Sequence, residues 1–91
     1  MKRYMIERDI PAVGSLGQDE LAGAAGASCA ALDQLAPKIQ WQHSYVAENK
    51  TFCIYLAESE DVIREHAKQS GFPANKVTEV ATIIDPITSE A

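Results

Sequence analysis

The chain has 91 residues, with thirteen acidic and eight basic side chains and a net charge of −5. This length fits one domain, and the acidic balance argues against nucleic acid or a membrane surface as a partner. No apolar run approaches the roughly 20 residues of a membrane span, no secretory signal follows the first residues, and the two cysteines lack metal-site or redox spacing. We therefore expect a cytoplasmic protein with reduced thiols.

The first half of the sequence predicts a strand, a helix and a second strand. Residues 3–10 alternate in polarity, as a half-buried strand does, and Pro11 ends the run. After a loop that contains two glycines, apolar and small residues recur at helical spacing from about residue 18 to residue 35. Residues 39–46 are rich in β-forming side chains and predict the second strand.

The second half predicts a hairpin, a helix and a last strand. A polar stretch at residues 47–50 leads into a strand at 51–56. Ser59 and Gly71 are placed as the caps of the second helix, with His66 on its apolar face. A final strand is expected over residues 76–84, and a short loose tail from about residue 87.

The order β-α-β-β-α-β predicts an α+β fold, the ferredoxin-like sandwich. In this plan two helices cover the same face of a four-stranded antiparallel sheet with strand order 4-1-3-2. Residues 1–91 then form a single domain. The sheet face without helices, here called the open face, must be polar, bind a ligand or pack on another subunit.

The polarity of each strand predicts which side chains lie on the open face. Hydrophobicity directs Tyr4, Ile6, Ile10, Phe52, Ile54, Leu56, Val80, Thr82 and Ile84 towards the helices. It leaves Met5, Glu7, Thr51, Cys53, Tyr55, Glu79 and Ala81 on the open face. In a regular second strand, Trp41, His43 and Tyr45 share one face, and a one-residue change of register decides which face that is.

If His43 lies on the open face, it joins a row of possible metal ligands across the sheet. The row contains Glu79, Glu7, Cys53 or Tyr55, and His43. Imidazole, carboxylate and thiolate groups are ligands for nickel, zinc or cobalt. Because neighbouring strands are about 4.8 Å apart, the outer residues of the row can bind one ion only through long side chains or with a second subunit. The alternative is that His43 is a structural residue beside aromatic rings. For His66, the alternative is a position at the helix end or the core edge.

Catalytic motifs are absent from the sequence. There is no GxGxxG, Walker loop, GxSxG or HExxH, and the Ser, His and Cys residues form no nucleophile–base pair. A catalytic role is therefore not predicted from motifs.

Four segments resemble a family of small bacterial proteins of unknown function that includes a nickel-binding protein. They are YMIERDIP from residue 4, IQWQHSYV from residue 39, KTFCIY from residue 50, and REHA from residue 64 followed by GFPA from residue 71. The resemblance implies a ferredoxin-like fold, a homodimer and nickel at or near the subunit interface. His43, Glu7, Cys53 and His66 lie inside the matching segments and are the candidate metal ligands.

Three functions remain open at this stage. The first is a dimeric, non-catalytic protein that binds Ni²⁺ or another divalent transition metal, with His43 as the main ligand. The second is a small enzyme of the dimeric α+β barrel type that binds an organic substrate between sheet and helices, with His43, His66 and Tyr55 as acid–base candidates. The third is an interaction module in which dimerisation is the purpose of the open face.

Overall fold

The computed structural model describes residues 1–90, so residue 91, the last of the predicted tail, lies outside the described residues. The elements are β1 (Lys2–Asp9), α1 (Gln18–Leu35), β2 (Ile39–Val46), β3 (Lys50–Ala57), α2 (Glu60–Ser70) and β4 (Lys76–Val80). Short 3₁₀ turns occur at Val13–Ser15 and Pro86–Glu90. None of the helices formed by residues 1–90 is long and apolar enough to cross a membrane.

The four strands form one antiparallel sheet in the order β2-β3-β1-β4. This order is the predicted one read from the opposite edge, and the ferredoxin-like α+β fold is confirmed. The caps of α2 are also confirmed: the Ser59 hydroxyl accepts a hydrogen bond from the Val62 amide, and Gly71 ends the helix at φ 80°.

The core lies between the sheet and the two helices. It is built from Tyr4, Ile6, Ile39, Cys53, Tyr55, Ala57 and Ile63, and Leu32, Leu35, Trp41, Val62, Ala74 and Val77 pack against it. On β1 the predicted faces are correct, because Tyr4 and Ile6 are buried while Met5 and Glu7 lie on the other side.

On β3 the predicted faces are wrong. Cys53 lies opposite Ile6, and Tyr55 lies opposite Tyr4. Directly opposite residues of paired strands share a face, so Cys53, Tyr55 and Thr51 point towards the helices with the buried residues of β1. Phe52, Ile54 and Leu56 occupy the open face instead, each half-buried.

The last strand also differs from its prediction. It ends at Val80, so residues 81–84 lie beyond the sheet and are exposed. Val80 pairs with Arg3 and shares the open face, whereas Glu79 pairs with the buried Tyr4 and lies at the edge of the helix side. The predicted orientations of Val80 and Glu79 are therefore reversed.

Candidate functional site: the two faces of strand β2

An irregularity in β2 decides which face each of its functional side chains occupies. Trp41 pairs with Tyr55, but the next residue of β3, Ile54, pairs with His43, so Gln42 is an extra residue in a β-bulge. Trp41 therefore lies on the helix side with Tyr55, at a ring centroid distance of 6.5 Å. His43 lies on the open face with Ile54. The prediction that Trp41 and His43 share a face is wrong.

Beyond the bulge the strand alternates regularly again. Ser44 pairs with the buried Cys53 and lies on the helix side, where its hydroxyl accepts a 3.0 Å hydrogen bond from the Trp41 indole N–H. Tyr45 pairs with Phe52 and lies on the open face, 60% exposed. One strand thus supplies side chains to two separate sites.

The open face has an apolar centre. Its central side chains are Met5, Phe52, Ile54, Leu56 and Val80. All of them are partly exposed, and contact between this apolar surface and water is unfavourable for a single chain. The exposed Tyr45 and the exposed Ile83, which follows β4, extend this apolar surface.

His43 stands exposed at the β2 edge of the open face. Its Nε2 is 3.2 Å from the Tyr45 hydroxyl, and the two rings meet edge to face with centroids 5.1 Å apart. The hydroxyl orients the imidazole from one side and leaves the other ring nitrogen accessible. His43 is therefore an available nitrogen ligand on this face.

Glu7 is on the same face but is held by lysines. The Lys50 ammonium lies 3.4 Å from one carboxylate oxygen, and the Lys76 ammonium lies 3.9 Å from the other. β3 separates β1 from β2, so about 10 Å lies between the strands that carry Glu7 and His43. The two side chains do not meet within one chain.

The other two candidate ligands, Cys53 and His66, lie across the sheet from His43. Cys53 is buried, with its thiol 3.6 Å from the Thr51 hydroxyl. His66 is buried between α2, α1 and β3. The predicted row of His43, Glu7, Cys53 and Glu79 is therefore not formed, and residues 1–90 contain no group of three or more His, Cys, Asp or Glu side chains placed to hold a metal ion.

His66 instead forms a buried polar cluster with Ser28 and Tyr55. Its Nε2 lies 3.2 Å from the Ser28 hydroxyl and 3.4 Å from the Ser28 carbonyl oxygen, which only accepts, so this nitrogen carries the proton of the neutral ring. Burial lowers the pKa of His66, and the positive charge of Arg8 lowers it further. Burial also raises the pKa of Tyr55, so both groups are neutral near pH 7.

Arg8 is a buried charged residue that sequence reasoning missed. It is only 2% exposed and lies on the helix side, in step with Tyr4 and Ile6. The period of β1 already placed position 8 on the inner face, but a charged residue is rarely assigned there. An inward arginine in an otherwise apolar series was the available signal.

The fold and the exposed histidine at an apolar sheet face define a small ferredoxin-like α+β protein with an unpartnered face. The family model described as nickel responsive protein SCO4226-like matches residues 4–80. The chain therefore belongs to the SCO4226-like family of nickel responsive proteins.

A solved structure agrees with this fold. The crystal structure of SCO4226 from Streptomyces coelicolor A3(2) matches with a TM-score of 0.75 and 15% identity, over 90% of this chain and 99% of that chain. At this identity the similarity shows a shared fold. Among curated proteins there is no match.

Proposed function

We propose that this protein is a cytoplasmic homodimer that binds Ni²⁺ where two open faces meet, with His43 of each copy as a ligand. The observation that carries the proposal is the position of His43, an exposed imidazole beside the apolar centre of the open face. The description of the family as nickel responsive supports nickel as the metal, and imidazole is a good ligand for Ni²⁺.

A second copy of the chain is the partner that best fits the open face. The face carries Arg3 and Glu7 around its apolar centre, so it offers both charges to a copy of itself. Such a self-complementary patch suits a twofold interface, in which each residue of one copy meets its counterpart surface on the other. The surface removed from water would be largely apolar, which favours association.

The metal site itself requires both copies. His43 and Glu7 are on strands about 10 Å apart in one chain, too far to hold one ion together. Two His43 side chains, one from each copy, supply two nitrogen ligands to one ion. Cys53 and His66 are on the helix side and do not contribute to this site.

Titration of the metal-free protein with Ni²⁺ tests the proposed ligand. We expect saturable heat by calorimetry and visible Ni²⁺ absorption bands, and at least about tenfold weaker binding in His43→Ala. Tyr45→Phe is the matched control, since it removes the neighbouring hydroxyl but keeps the imidazole. Undiminished Ni²⁺ binding by His43→Ala, or no binding by the unmodified protein, contradicts the proposal.

Sedimentation equilibrium tests the dimer separately. Phe52→Glu places a charge at the centre of the open face and should yield a monomer, because an unpaired charge in an apolar interface is costly. Ala27→Glu, on the exposed side of α1, should leave the dimer intact. If the unmodified protein is a monomer at micromolar concentration, the proposed dimer is wrong. If it is a dimer that does not bind Ni²⁺, the result supports a metal-free interaction module.

A further inference from the structure

A cavity of about 240 Å³ lies between α1 and the sheet, on the side away from the proposed nickel site. Its walls come from β1, β2, β3, α1 and the segments that follow β1 and α2. Trp41, Tyr55 and Val46 form part of the wall, and Val46 is 47% exposed, so the cavity reaches solvent beside β2.

The cavity exists because the facing side of α1 carries small residues. The small residues are Ala24, Ala25 and Ser28, which follow Leu21 at three- and four-residue spacing and line the cavity with it. Alanine side chains are too short to fill the space below them, and Ser28 reaches only the tip of Tyr55, 3.4 Å from its hydroxyl. The sequence therefore leaves space above Trp41 and Tyr55 instead of filling it.

The wall of this largely apolar cavity includes one charged side chain, that of Arg8. Nη1 of Arg8 donates to the carbonyl oxygens of Pro73 at 2.9 Å and Phe72 at 3.4 Å. Nη2 is buried and has no hydrogen-bond partner among residues 1–90. The ion pairs formed within residues 1–90 do not include Arg8.

A buried guanidinium without a counter-ion is costly, and proteins pair or solvate nearly all such groups. The two carbonyl dipoles compensate Arg8 only in part, since a guanidinium has five N–H donors. Arg8 lines the cavity, and an anion bound beside its guanidinium would supply the missing charge. The cavity gives that anion a place to sit.

We propose that this cavity binds a small apolar monocarboxylate, whose carboxylate group pairs with the guanidinium of Arg8 while its hydrocarbon part fills the space beneath α1. A dry cavity of about 150 Å³ accommodates benzene, so a space of about 240 Å³ accommodates a short chain or single ring with its carboxylate. A single arginine balances one negative charge. A phosphate dianion would bring a second charge into an apolar space and is disfavoured.

The hydroxyl groups around the cavity help to orient the ligand. Tyr55, Ser28 and Thr51 line the wall and can each donate to a carboxylate oxygen. His66 contacts Ser28 and Tyr55 from behind, so it is a positioning residue for these hydroxyls. This binding site is independent of nickel, because its residues face the opposite side of the sheet.

Hexanoate is the test ligand, with 1-hexanol and hexylamine as neutral and cationic analogues of the same length. Trp41 is the only tryptophan and lines the cavity, so its emission reports binding directly. We expect a saturable change with hexanoate, at least about tenfold weaker binding of hexanol, and still weaker binding of hexylamine, since a charge-assisted hydrogen bond accounts for the preference.

Two variants separate charge from space. Arg8→Gln should bring hexanoate down to the affinity of hexanol. Ala25→Phe fills the cavity from α1 and leaves Arg8 unchanged. It should abolish binding of both ligands while circular dichroism shows that the protein is still folded. The proposal is overturned if hexanoate does not bind, if it binds no better than hexanol, or if binding survives in folded Ala25→Phe. If Arg8→Gln does not fold, the proposal is still tested by the comparison of hexanoate with hexanol and by Ala25→Phe.

Discussion

Lowering the pH from 7.5 to 5.5 should destabilise the folded protein through His66. This side chain is fully buried and packs against Tyr55 of β3 and Ser28 of α1, with the guanidinium of Arg8 as the nearby charge. Burial and that positive charge lower its pKa in the folded protein from the ordinary 6.5. In the unfolded chain His66 takes up a proton as the pH falls through 6.5, while the folded protein resists it.

The sign and the upper limit of the effect follow from linkage. Below pH 6.5 the unfolded state binds more protons than the folded state, so the free energy of unfolding falls with falling pH until the folded pKa is reached. If His66 stays neutral in the folded state throughout, the loss between pH 7.5 and 5.5 is about 1.4 kcal/mol. In a domain of this size, each kcal/mol of lost stability lowers Tm by roughly 4–8 °C.

The assay is urea unfolding at one fixed protein concentration, followed by circular dichroism at the two pH values. His66→Gln keeps an N–H donor for the Ser28 carbonyl but cannot titrate, so its stability should change less between pH 7.5 and 5.5. His43→Ala is the control, because it removes the exposed histidine and keeps His66. A full pH effect in His66→Gln, or greater stability of the unmodified protein at pH 5.5, refutes the reasoning.

Three backbone predictions use the same unfolding assay. Gly14→Ala should lower the free energy of unfolding by about 2 kcal/mol, because a Cβ there would lie 2.6 Å from the Ala47 carbonyl oxygen. At Gly23 an added Cβ meets nothing within 4 Å, so Gly23→Ala should raise the free energy of unfolding by up to about 1 kcal/mol through better helix propensity. Ser59→Ala should lose about 1 kcal/mol with the cap of α2. Gly71→Ala should lose about 1 kcal/mol, because φ is 80°. Equal effects at positions 14 and 23 would contradict the first prediction.

The order of elements could be predicted from the sequence because several boundaries carry a strong local signal. Pro11, Ser59 and Gly71 all lie where an element begins or ends. Signals of this kind depend on backbone geometry within a few residues. The strand order then followed from the topology, and both were confirmed.

The faces of β3 could not be predicted, because both alternate sets of its side chains are apolar. Phe52, Ile54 and Leu56 form the more uniformly apolar set, so hydrophobicity alone assigned them to the core. In the structure, Tyr55 and Cys53 pair with the buried Tyr4 and Ile6 of β1, so Phe52, Ile54 and Leu56 lie on the open face instead. An apolar open face is what the proposed dimer requires, so the property that misled the prediction also supports the interface.

The bulge at Gln42 was also outside the reach of the pattern, since an extra residue leaves no periodic signal of its own. It has a specific consequence that can be tested by deletion. Removing Gln42 leaves Trp41 opposite Tyr55 and His43 opposite Ile54, because it restores a regular strand with the same pairing. Removing Gln40 instead makes Ile39 and Trp41 neighbours, so one of these two core side chains must turn to the open face.

We therefore expect the Gln42 deletion to fold with Trp41 emission close to that of the unmodified protein, and to keep Ni²⁺ binding if His43 is the ligand. The Gln40 deletion should unfold at a lower urea concentration, because turning Ile39 or Trp41 out of the core costs about 2 kcal/mol or more. Trp41 emission should then shift if that residue is the one exposed. If the Gln42 deletion instead exposes Trp41 or is as destabilising as the Gln40 deletion, Gln42 is not the extra residue, and the division of β2 between two sites is wrong.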